Sequence, residues 1–471
     1  MTIISSARIF TPRELSGLRA AVAGPVLTRE DGAYEAECAV FNLRQAIRPS
    51  IAVGATETGD VAAAVRFAAE HGLAVGVQNA AHQTVIPEEG DDWMLITTRR
   101  MTDIVVDGRA ATATVGAGVR WTDALSATAK HGLAPIVGSA PNVGIMGYTL
   151  GGGVSPLLGR SYGYAADHVL RMEVVTADGQ VRDVASDTEP DLFWALRGCK
   201  GNFGIVTRME FSLFPVTRFY GGGIYFSGDD SPELLRAWRT FVDTLGEETT
   251  TSVALMRLPN IPELPPVLRG EFVLHLRFAH LGTAAEGETL LAPLRAVATP
   301  LLDLVVERPF EQAGDIHMDP VDPLPTIDRG FCLRELTADT LDKLLELAGP
   351  EAGCSPLLMV EVRALGGAFD REPLVPNAVP SRGLPFLVFA TGTAGSSDAS
   401  ALEASLDILA KELAPWADDR VSGNFVAPHD ALTETGVQRV YGPDRYQRLA
   451  QIKREFDPAN MFRINHNIRP S

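Results

Sequence analysis

The chain has 471 residues, 46% of them hydrophobic, and its mean hydropathy is +0.07. This length predicts two or three domains around a large buried core. The 59 acidic residues against 41 basic ones give a net charge of −18, which argues against nucleic acid or an anionic membrane surface as a partner. No apolar run reaches the roughly 18–20 residues that a membrane span needs.

The first predicted elements are a buried strand, a helix and a second buried strand. Residues 50–55 form a short apolar run, and Thr58 is the predicted N-cap of a helix that extends to His71. Gly72 is typical of a residue that ends a helix, and residues 73–78 are again apolar. The pattern indicates a βαβ-like unit.

The next elements alternate strands with short helices up to about residue 215. Strands are predicted at 94–97, 104–106, 112–115 and 205–211, a helix at about 122–130, a hairpin of strands at 172–176 and 181–184, and a short helix that Thr188 caps and Gly198 ends.

A glycine-rich stretch interrupts these elements at residues 137–167. It contains eight glycines, three of them consecutive at Gly151–Gly153, and almost no charge. A mobile surface linker is one interpretation, but linkers are usually polar, and this stretch carries many apolar residues that favour burial. Because glycine lets a backbone approach a ligand closely, the stretch predicts a wall for a flat or phosphate-bearing cofactor.

From about residue 216 the strands alternate apolar and polar residues, which is typical of a sheet with one face on helices and the other face free. Helices are predicted at 231–245, 338–347 and 399–413. In two of the strands the apolar face carries Phe272, Leu274, Leu276 and Phe278, and Leu358, Val360, Val362 and Ala364; the polar face carries Glu271, His275 and Arg277, and Met359, Glu361 and Arg363.

Several motifs resemble, in this order, those of the FAD-binding oxidoreductases of the vanillyl-alcohol oxidase superfamily, and more narrowly its berberine bridge enzyme-like branch. They are VGAG at 115–118, VG at 143–144, LGGG at 150–153, YG at 162–163, EVVTADG at 173–179, DLFWALRG at 191–198, GNFGIVT at 201–207 and the tail from Tyr441 to Ile468.

The resemblance implies an α+β fold with a two-lobed PCMH-type FAD-binding domain and a substrate domain whose antiparallel sheet is flanked by helices. We expect the FAD-binding domain at 1–215, the substrate-binding domain at 216–425, and a C-terminal segment at 426–471 that returns to the FAD-binding domain. The cofactor would be FAD. The residues expected to bind it are Gln78, Asn79, Ala80, Ala81, His82, Gln83, Pro141, Val143, Gly144, Gly147, Leu150, Gly151, Gly152, Gly153, Tyr162, Asp167, Gly201, Gly204, Val206, Asn465 and Asn467.

Departures from the family pattern qualify how FAD is attached. The family's pyrophosphate turn usually has an arginine and glycines before a histidine, whereas residues 78–83 read QNAAHQ. His82 occupies the position of the histidine that bonds to the flavin, and the alternative is a hydrogen-bonded core histidine. Ala140 replaces the cysteine of bicovalent members, so we expect at most one covalent bond, through His82.

Further departures concern the chemistry. Val143 occupies a position that carries a small residue in family members that react with oxygen, which favours an oxidase. The alternative is that this valine only packs in the glycine-rich wall. Residues 422–425 read SGNF and lack the family's frequent tyrosine base. Glu361 is the first candidate base, because burial beneath a flavin would raise its pKa, and His275 is the second. The alternative for both is a solvated or structural ion-pair patch.

The predicted function is a cytoplasmic FAD-dependent oxidase. It would transfer a hydride from a small or medium organic substrate to flavin N5, with molecular oxygen as acceptor and hydrogen peroxide as product. The substrate is expected to belong to specialised metabolism. The alternatives are a flavin-bound catalyst or scaffold of a non-redox cyclisation, and a ligand binder that has lost FAD. No signal peptide is evident, and the cysteines at 38, 199, 332 and 354 lack zinc-ligand spacing, so no metal is expected. The sequence leaves the oligomeric state open.

Overall fold

A computed structural model describes residues 10–85, 92–353, 355–393, 399–427 and 432–471. Cys354 lies outside these residues. The described chain combines helices with three separate sheets, which confirms the predicted α+β class. The predicted domain boundaries at 215 and 425 lie between the second and third sheets and after the last strand, and the division itself stays a prediction.

The first lobe is built on a four-stranded sheet in which the predicted βαβ unit is modified. The two predicted strands are both parallel to a third strand, β4, which lies between them, and the sheet order is β1-β2-β4-β3. The elements of this lobe are α1 (Pro12–Ala21), β1 (Val26–Leu27), α2 (Tyr34–Glu37), β2 (Ile51–Gly54), α3 (Thr58–His71), β3 (Ala74–Gln78) and β4 (Trp93–Thr97).

Helix α3 has the predicted bounds but not the predicted cap. The N-cap residue is Glu57, and the hydroxyl of Thr58 instead donates to Glu173 Oε1 of the second lobe at 2.5 Å. Gly72 ends the helix as predicted, in a left-handed conformation with φ +68° that glycine adopts without steric cost.

The second lobe contains a five-stranded antiparallel sheet of order β5-β6-β9-β7-β8. Here too the expected cap is wrong, since Glu189 and not Thr188 precedes the helix after the hairpin. The elements are β5 (Ile104–Asp107), β6 (Thr112–Gly116), α4 (Trp121–Ala129), α5 (Ile145–Leu150), α6 (Gly159–Tyr162), β7 (Val169–Val175), β8 (Val181–Ala185), α7 (Pro190–Leu196) and β9 (Ile205–Ser212).

The third sheet has nine strands and spans the region predicted to bind substrate. Its order is β13-β10-β12-β11-β16-β17-β15-β18, with β14 paired to β10, and its neighbouring strands are antiparallel. The elements are β10 (Arg218–Ser227), α8 (Ser231–Val242), β11 (Thr249–Arg257), β12 (Phe272–His280), α9 (Ala284–Arg295), β13 (Leu302–Asp303), β14 (Val306–Pro309), β15 (Thr326–Leu333), α10 (Ala338–Ala348), β16 (Met359–Ala364), β17 (Phe386–Thr393), α11 (Ala399–Leu413) and β18 (Ala417–Asp418).

The apolar face of this sheet packs against helices α8, α10 and α11, as the alternation predicted. The shared core includes Leu274, Leu276, Phe278, Val360, Val362 and Ala364. The opposite face is not free, which corrects the expectation: Glu361 is 0% and Arg277 is 2% exposed, because this face packs on the glycine-rich segment of the second lobe.

The tail returns to the first two lobes through α12 (Glu434–Tyr441) and α13 (Pro443–Phe456). A fully buried ion pair between Lys453 and Asp457, 2.6 Å apart, fixes the end of α13. Beyond it, Met461 accepts a hydrogen bond from Val75 of β3, so the tail extends the core of the first lobe. Among the described residues, no helix is both long enough and apolar enough to cross a membrane.

Candidate active site

The turn at 78–83 lies at the end of β3 and faces the second lobe. The Gln78 amide donates to the Ala39 carbonyl at 2.7 Å, and the Asn79 amide lies 3.5 Å from the Val119 carbonyl. Ala81 has φ +56°, a left-handed conformation that costs a residue with a Cβ about 1–2 kcal/mol. The family pattern has glycine at this position because glycine adopts positive φ without this cost, whereas this chain has alanine there.

His82 is partly buried and its ring stacks on Phe41 with 3.9 Å between centroids. Burial, reinforced by Arg120, lowers the pKa of His82 to about 4, against a weaker opposite effect of Asp319. The imidazole is therefore neutral at pH 7 and keeps a nucleophilic nitrogen. No side-chain hydrogen bond is found for it among the described residues, so the alternative of a hydrogen-bonded core histidine lacks support.

Two arginines that sequence reasoning missed lie beside this turn. Arg99 Nε donates to the Asn79 carbonyl at 3.0 Å, and Arg120 pairs through its backbone with Gly144. Arg99 follows β4 and Arg120 is the N-cap residue of α4, and both lie far from the turn in sequence, so no local motif indicates them. They bring positive charge to a turn that has no arginine of its own.

The glycine-rich segment forms the facing wall. Pro141, Val143 and Gly144 lead into α5, which carries Gly147 and Leu150, and Gly151–Gly153 follow it. A Cβ built on Gly147 meets nothing within 4 Å, so this edge of α5 borders open space. Gly201 approaches the exposed Val77 of β3 from the other side, which places the cleft between the two lobes.

Residues 422–425 hold this wall in place. Asn424 Oδ1 accepts from the Gly153 backbone at 2.8 Å, its Nδ2 donates to the Tyr148 carbonyl at 3.0 Å, and Ser422 Oγ donates to the Gly151 carbonyl at 3.0 Å. Ser422, which stands in place of the family's tyrosine, thus hydrogen-bonds to the backbone of the glycine-rich segment.

The segment that carries the C-terminal asparagines contacts β3 through Ile464 and lies beside Lys200 at Asn465. The side-chain oxygens of Asn465 and Asn467 are buried without a hydrogen-bond partner among the described residues, and so is that of Gln83. Asn202 secures the segment: its Oδ1 accepts from the Ile468 backbone at 2.9 Å, and its Nδ2 donates to the His466 carbonyl at 3.2 Å.

Other residues expected to bind the cofactor have contacts within the protein. Asp167 is paired with Arg382 at 2.6 Å, and the Tyr162 ring packs on Phe214. Val206 is buried within β9, and a Cβ on Gly204 would lie 2.7 Å from the Val175 carbonyl. A Cβ on Gly152 would meet Ser422 and Val379, so packing also explains that glycine. Their contribution to cofactor binding stays a prediction.

A second cluster, on the buried polar face of the third sheet, is centred on Glu361. Its carboxylate lies 2.6 Å from Arg277 Nη1, 2.9 Å from Arg363 Nη2 and 3.1 Å from His317 Nε2, and it accepts from Ser252 Oγ at 2.7 Å. Sequence reasoning missed His317, which a 3₁₀ segment at Phe310–Ile316 brings over the sheet.

The expected pKa values of the two candidate bases are wrong. Burial alone would raise the pKa of Glu361, but Arg277 and Arg363 lower it well below its usual range. Burial and then Arg277 lower the pKa of His275 well below its usual range, and the ring is stacked on Tyr225. Glu361 is therefore an ion-paired anion and His275 a neutral ring; their catalytic roles stay untested.

A cavity lies between this cluster and the glycine-rich segment, with about 320 Å³ of atom-free space, part of it continuous with solvent. Val154, Ser155 and Pro156 line one side of it and Arg277, His317 and Arg363 the other. Since Val154 follows Gly153 directly, one segment borders both the interlobe cleft and this cavity.

Comparisons with known proteins match FAD-linked oxidoreductases. A family model described as "FAD binding domain" matches residues 49–185, and one described as "Berberine and berberine like" matches residues 431–469. (R)-6-hydroxynicotine oxidase of Paenarthrobacter nicotinovorans is 29% identical, with 95% of this chain and 97% of that protein covered. The chain is an FAD-linked oxidoreductase that carries an FAD-binding domain and a berberine-like C-terminal segment.

Further relatives and solved structures are similar to this oxidoreductase. An uncharacterized FAD-linked oxidoreductase of Bacillus subtilis, YgaK, is 27% identical, with 95% and 97% coverage. The structure of 6-hydroxy-D-nicotine oxidase from Arthrobacter nicotinovorans superposes with a TM-score of 0.82 at 25% identity, covering 96% of this chain and 98% of that one. Xylooligosaccharide oxidase from Myceliophthora thermophila shares the fold, with a TM-score of 0.83 at 22% identity. The superposition covers 97% of this chain and 99% of that one.

The residues of the interlobe cleft fit FAD. Open space at Gly147 leaves room for close approach of the cofactor, and the unpartnered amide oxygens of Gln83, Asn465 and Asn467 can accept hydrogen bonds from it. Arg99 and Arg120 supply positive charge beside the turn at 78–83, where a pyrophosphate requires it. Among the described residues, no group of three or more His, Cys, Asp or Glu side chains could hold a metal ion.

Proposed function

We propose that this oxidoreductase is an oxidase that removes a hydride from a small or medium organic substrate and uses molecular oxygen as electron acceptor. The observation that carries the proposal is the continuity of residues 147–156, because Gly147 borders open space at the cleft and Val154–Pro156 line the charged cavity. A substrate in the cavity would lie next to the cofactor. A cytoplasmic location and a role in specialised metabolism stay predictions.

FAD, when bound, supplies the redox chemistry, accepting a hydride at N5 and passing electrons to oxygen to give hydrogen peroxide. The chain's part is to bind and orient. The neutral imidazole of His82 is the group that would attach to the flavin, and the absence of a cysteine at position 140 limits attachment to one bond. Val143 is partly buried at the wall, and its role in oxygen access stays a prediction from the family.

The proton acceptor follows from the cluster around Glu361. Because the ionised carboxylate lies against His317 Nε2, it favours the tautomer that carries its proton on Nε2. The Nδ1 atom then presents a lone pair, and it has no partner among the described residues. Burial and Arg277 lower the pKa of His317, so the ring is neutral at pH 7. We therefore add His317 to Glu361 and His275 as a candidate base.

The test of cofactor attachment is a visible spectrum followed by acid precipitation. The purified protein should be yellow, and its flavin should remain in the acid pellet. His82→Ala should release flavin into the supernatant, whereas His131→Ala, on the surface, should not. Free flavin from the parent would refute covalent attachment, and a colourless protein would favour the ligand binder that has lost FAD.

A second candidate, non-redox use of the flavin, is favoured by the low pKa of Glu361 and by the serine at 422. Anaerobic mixing with candidate substrates separates the two. An oxidase bleaches its flavin and, on admission of air, regains colour with release of hydrogen peroxide. A substrate converted without bleaching would support the cyclisation catalyst instead.

A further inference from the structure

We propose that the cavity binds substrates with a carboxylate group, held by Arg277 and Arg363; this rests on the proposed function, because it names the substrate class of that site. The cluster carries unequal charge. Two guanidinium groups face a single carboxylate, that of Glu361, and the two histidines beside them are neutral at pH 7. One positive charge is therefore left over at the cavity wall.

The excess charge is buried and held in position. Arg277 is 2% exposed, its Nε donates to His275 Nδ1 at 3.3 Å, and its Nη1 contacts Glu361. A buried charge without a full counter-charge is costly, so an anion entering here would be stabilised. The neutral His275 accepts this bond and sets the orientation of the guanidinium.

Arg363 is the group that can reach an anion. Its Nε and Nη2 contact Glu361 Oε2, and its guanidinium lies over the Phe425 ring at 5.2 Å. Among the described residues, no acceptor is found for its Nη1, and the side chain lines the cavity. A planar guanidinium with a donor left over suits a carboxylate.

The remaining lining of the cavity is mainly apolar or hydroxylated, with no further acidic side chain. Ser252 is already bonded to Glu361, and Thr251 to the Arg277 carbonyl. The apolar side chains are Val154, Pro156, Ile316, Leu365 and Phe369. This wall fits a small molecule with an apolar body and an acidic end.

The test compares sodium benzoate with benzamide, which has the same ring but no charge. Each is titrated into the holoenzyme at pH 7.5, and binding is read from the flavin spectrum and from the melting temperature. Benzoate should perturb both, and benzamide should bind at least tenfold more weakly. Equal binding of the two compounds would overturn the proposal without any variant.

Three variants sharpen the result. Arg363→Met should weaken benzoate at least tenfold and leave benzamide unchanged, while Arg363→Lys should restore part of the affinity. Glu361→Gln should bind benzoate several-fold more tightly, because it removes the competing carboxylate, whereas a mere structural role would give weaker binding. Arg371→Met, at an exposed pair with Glu247, is the control. Unchanged benzoate affinity in both Arg363→Met and Glu361→Gln would refute the proposal.

The proposal and the proposed function fail differently. A protein without flavin would still report benzoate through its melting temperature. A holoenzyme that binds benzoate but never bleaches with any carboxylate substrate would refute the oxidase and keep the anion site.

Discussion

Lys200 is a half-buried lysine for which no hydrogen bond or ion pair is found among the described residues. Its backbone is left-handed, with φ +53°, and its Cε approaches Gly151 so closely that a Cβ there would lie 2.9 Å away. Burial lowers the pKa of Lys200 to about 7. The pKa of His466 is lowered to about 3, mainly by burial of that ring and secondarily by the charge of Lys200.

Lys200→Met should stabilise the protein near neutral pH. The folded pKa of about 7 lies below the unfolded value near 10.4, so the unfolded state binds more protons between these values and the parent becomes more stable as pH rises through that window. Urea unfolding at pH 7 should favour the variant by on the order of 1–3 kcal/mol, a difference that vanishes toward pH 10.5.

Lys411→Met, on an exposed helix surface, should show no such pH dependence. If Lys200→Met were no more stable than the parent at pH 7, the lysine would have a partner or solvent contact that offsets its burial.

At the scale of elements, the docking of the tail depends on Asn202. Asn202→Ala loses the bonds to Ile468 and His466, at a cost of about 1–3 kcal/mol for groups left unsatisfied. We expect faster amide hydrogen exchange in residues 461–468 and a lower ratio of flavin to protein after purification. Asn465→Ala is the control for docking, because its amide donates only to Phe462 within the tail. Unchanged exchange in Asn202→Ala would assign docking to the apolar contacts alone.

The sequence predicted elements whose pattern is local. Helix α3 has the expected bounds, and the faces of β12 and β16 were read correctly from alternation. The place of β4 between β2 and β3 could not be read, because strand order is set by pairing across the chain. Both N-caps were misplaced by one residue, since Thr58 donates to a distant glutamate that no local pattern reveals.

The sequence could indicate only those site residues that belong to recognisable motifs. The structure brings the turn at 78–83 against Gly144, and the cofactor-binding roles assigned from the motifs stay predictions. The ionisation of Glu361 was not predictable, because it depends on Arg277 from another strand and on Arg363 two residues away on the same face. Alternation placed these charges on one face but could not tell a solvated face from a buried one.

At the scale of the whole molecule, the charge of −18 opposes the positive cavity. An anionic ligand is repelled at long range and attracted only at the site. Salt screens the long-range repulsion more than the attraction at the site, because the Debye length is about 8 Å at 0.15 M and the site is buried. The association rate of benzoate should therefore increase when salt is raised from about 0.01 M to 0.15 M, and stopped-flow flavin absorbance measures it.

Benzamide provides the neutral comparison, and its rate should be unaffected by salt. A benzoate rate that falls with salt would mean that the local field at the cavity mouth is positive and outweighs the net charge.

The returning tail has a consequence for how the enzyme is made. Met461 accepts a hydrogen bond from β3, and Ile464 contacts Gly76 in the same strand, so the first lobe lacks part of its core until these residues arrive. The ribosome adds them some 380 residues after β3. A nascent chain thus carries an incomplete first lobe until residues 461–464 have been made. Flavin capture is accordingly a late event, and a message truncated before residue 461 yields a protein unable to keep its cofactor.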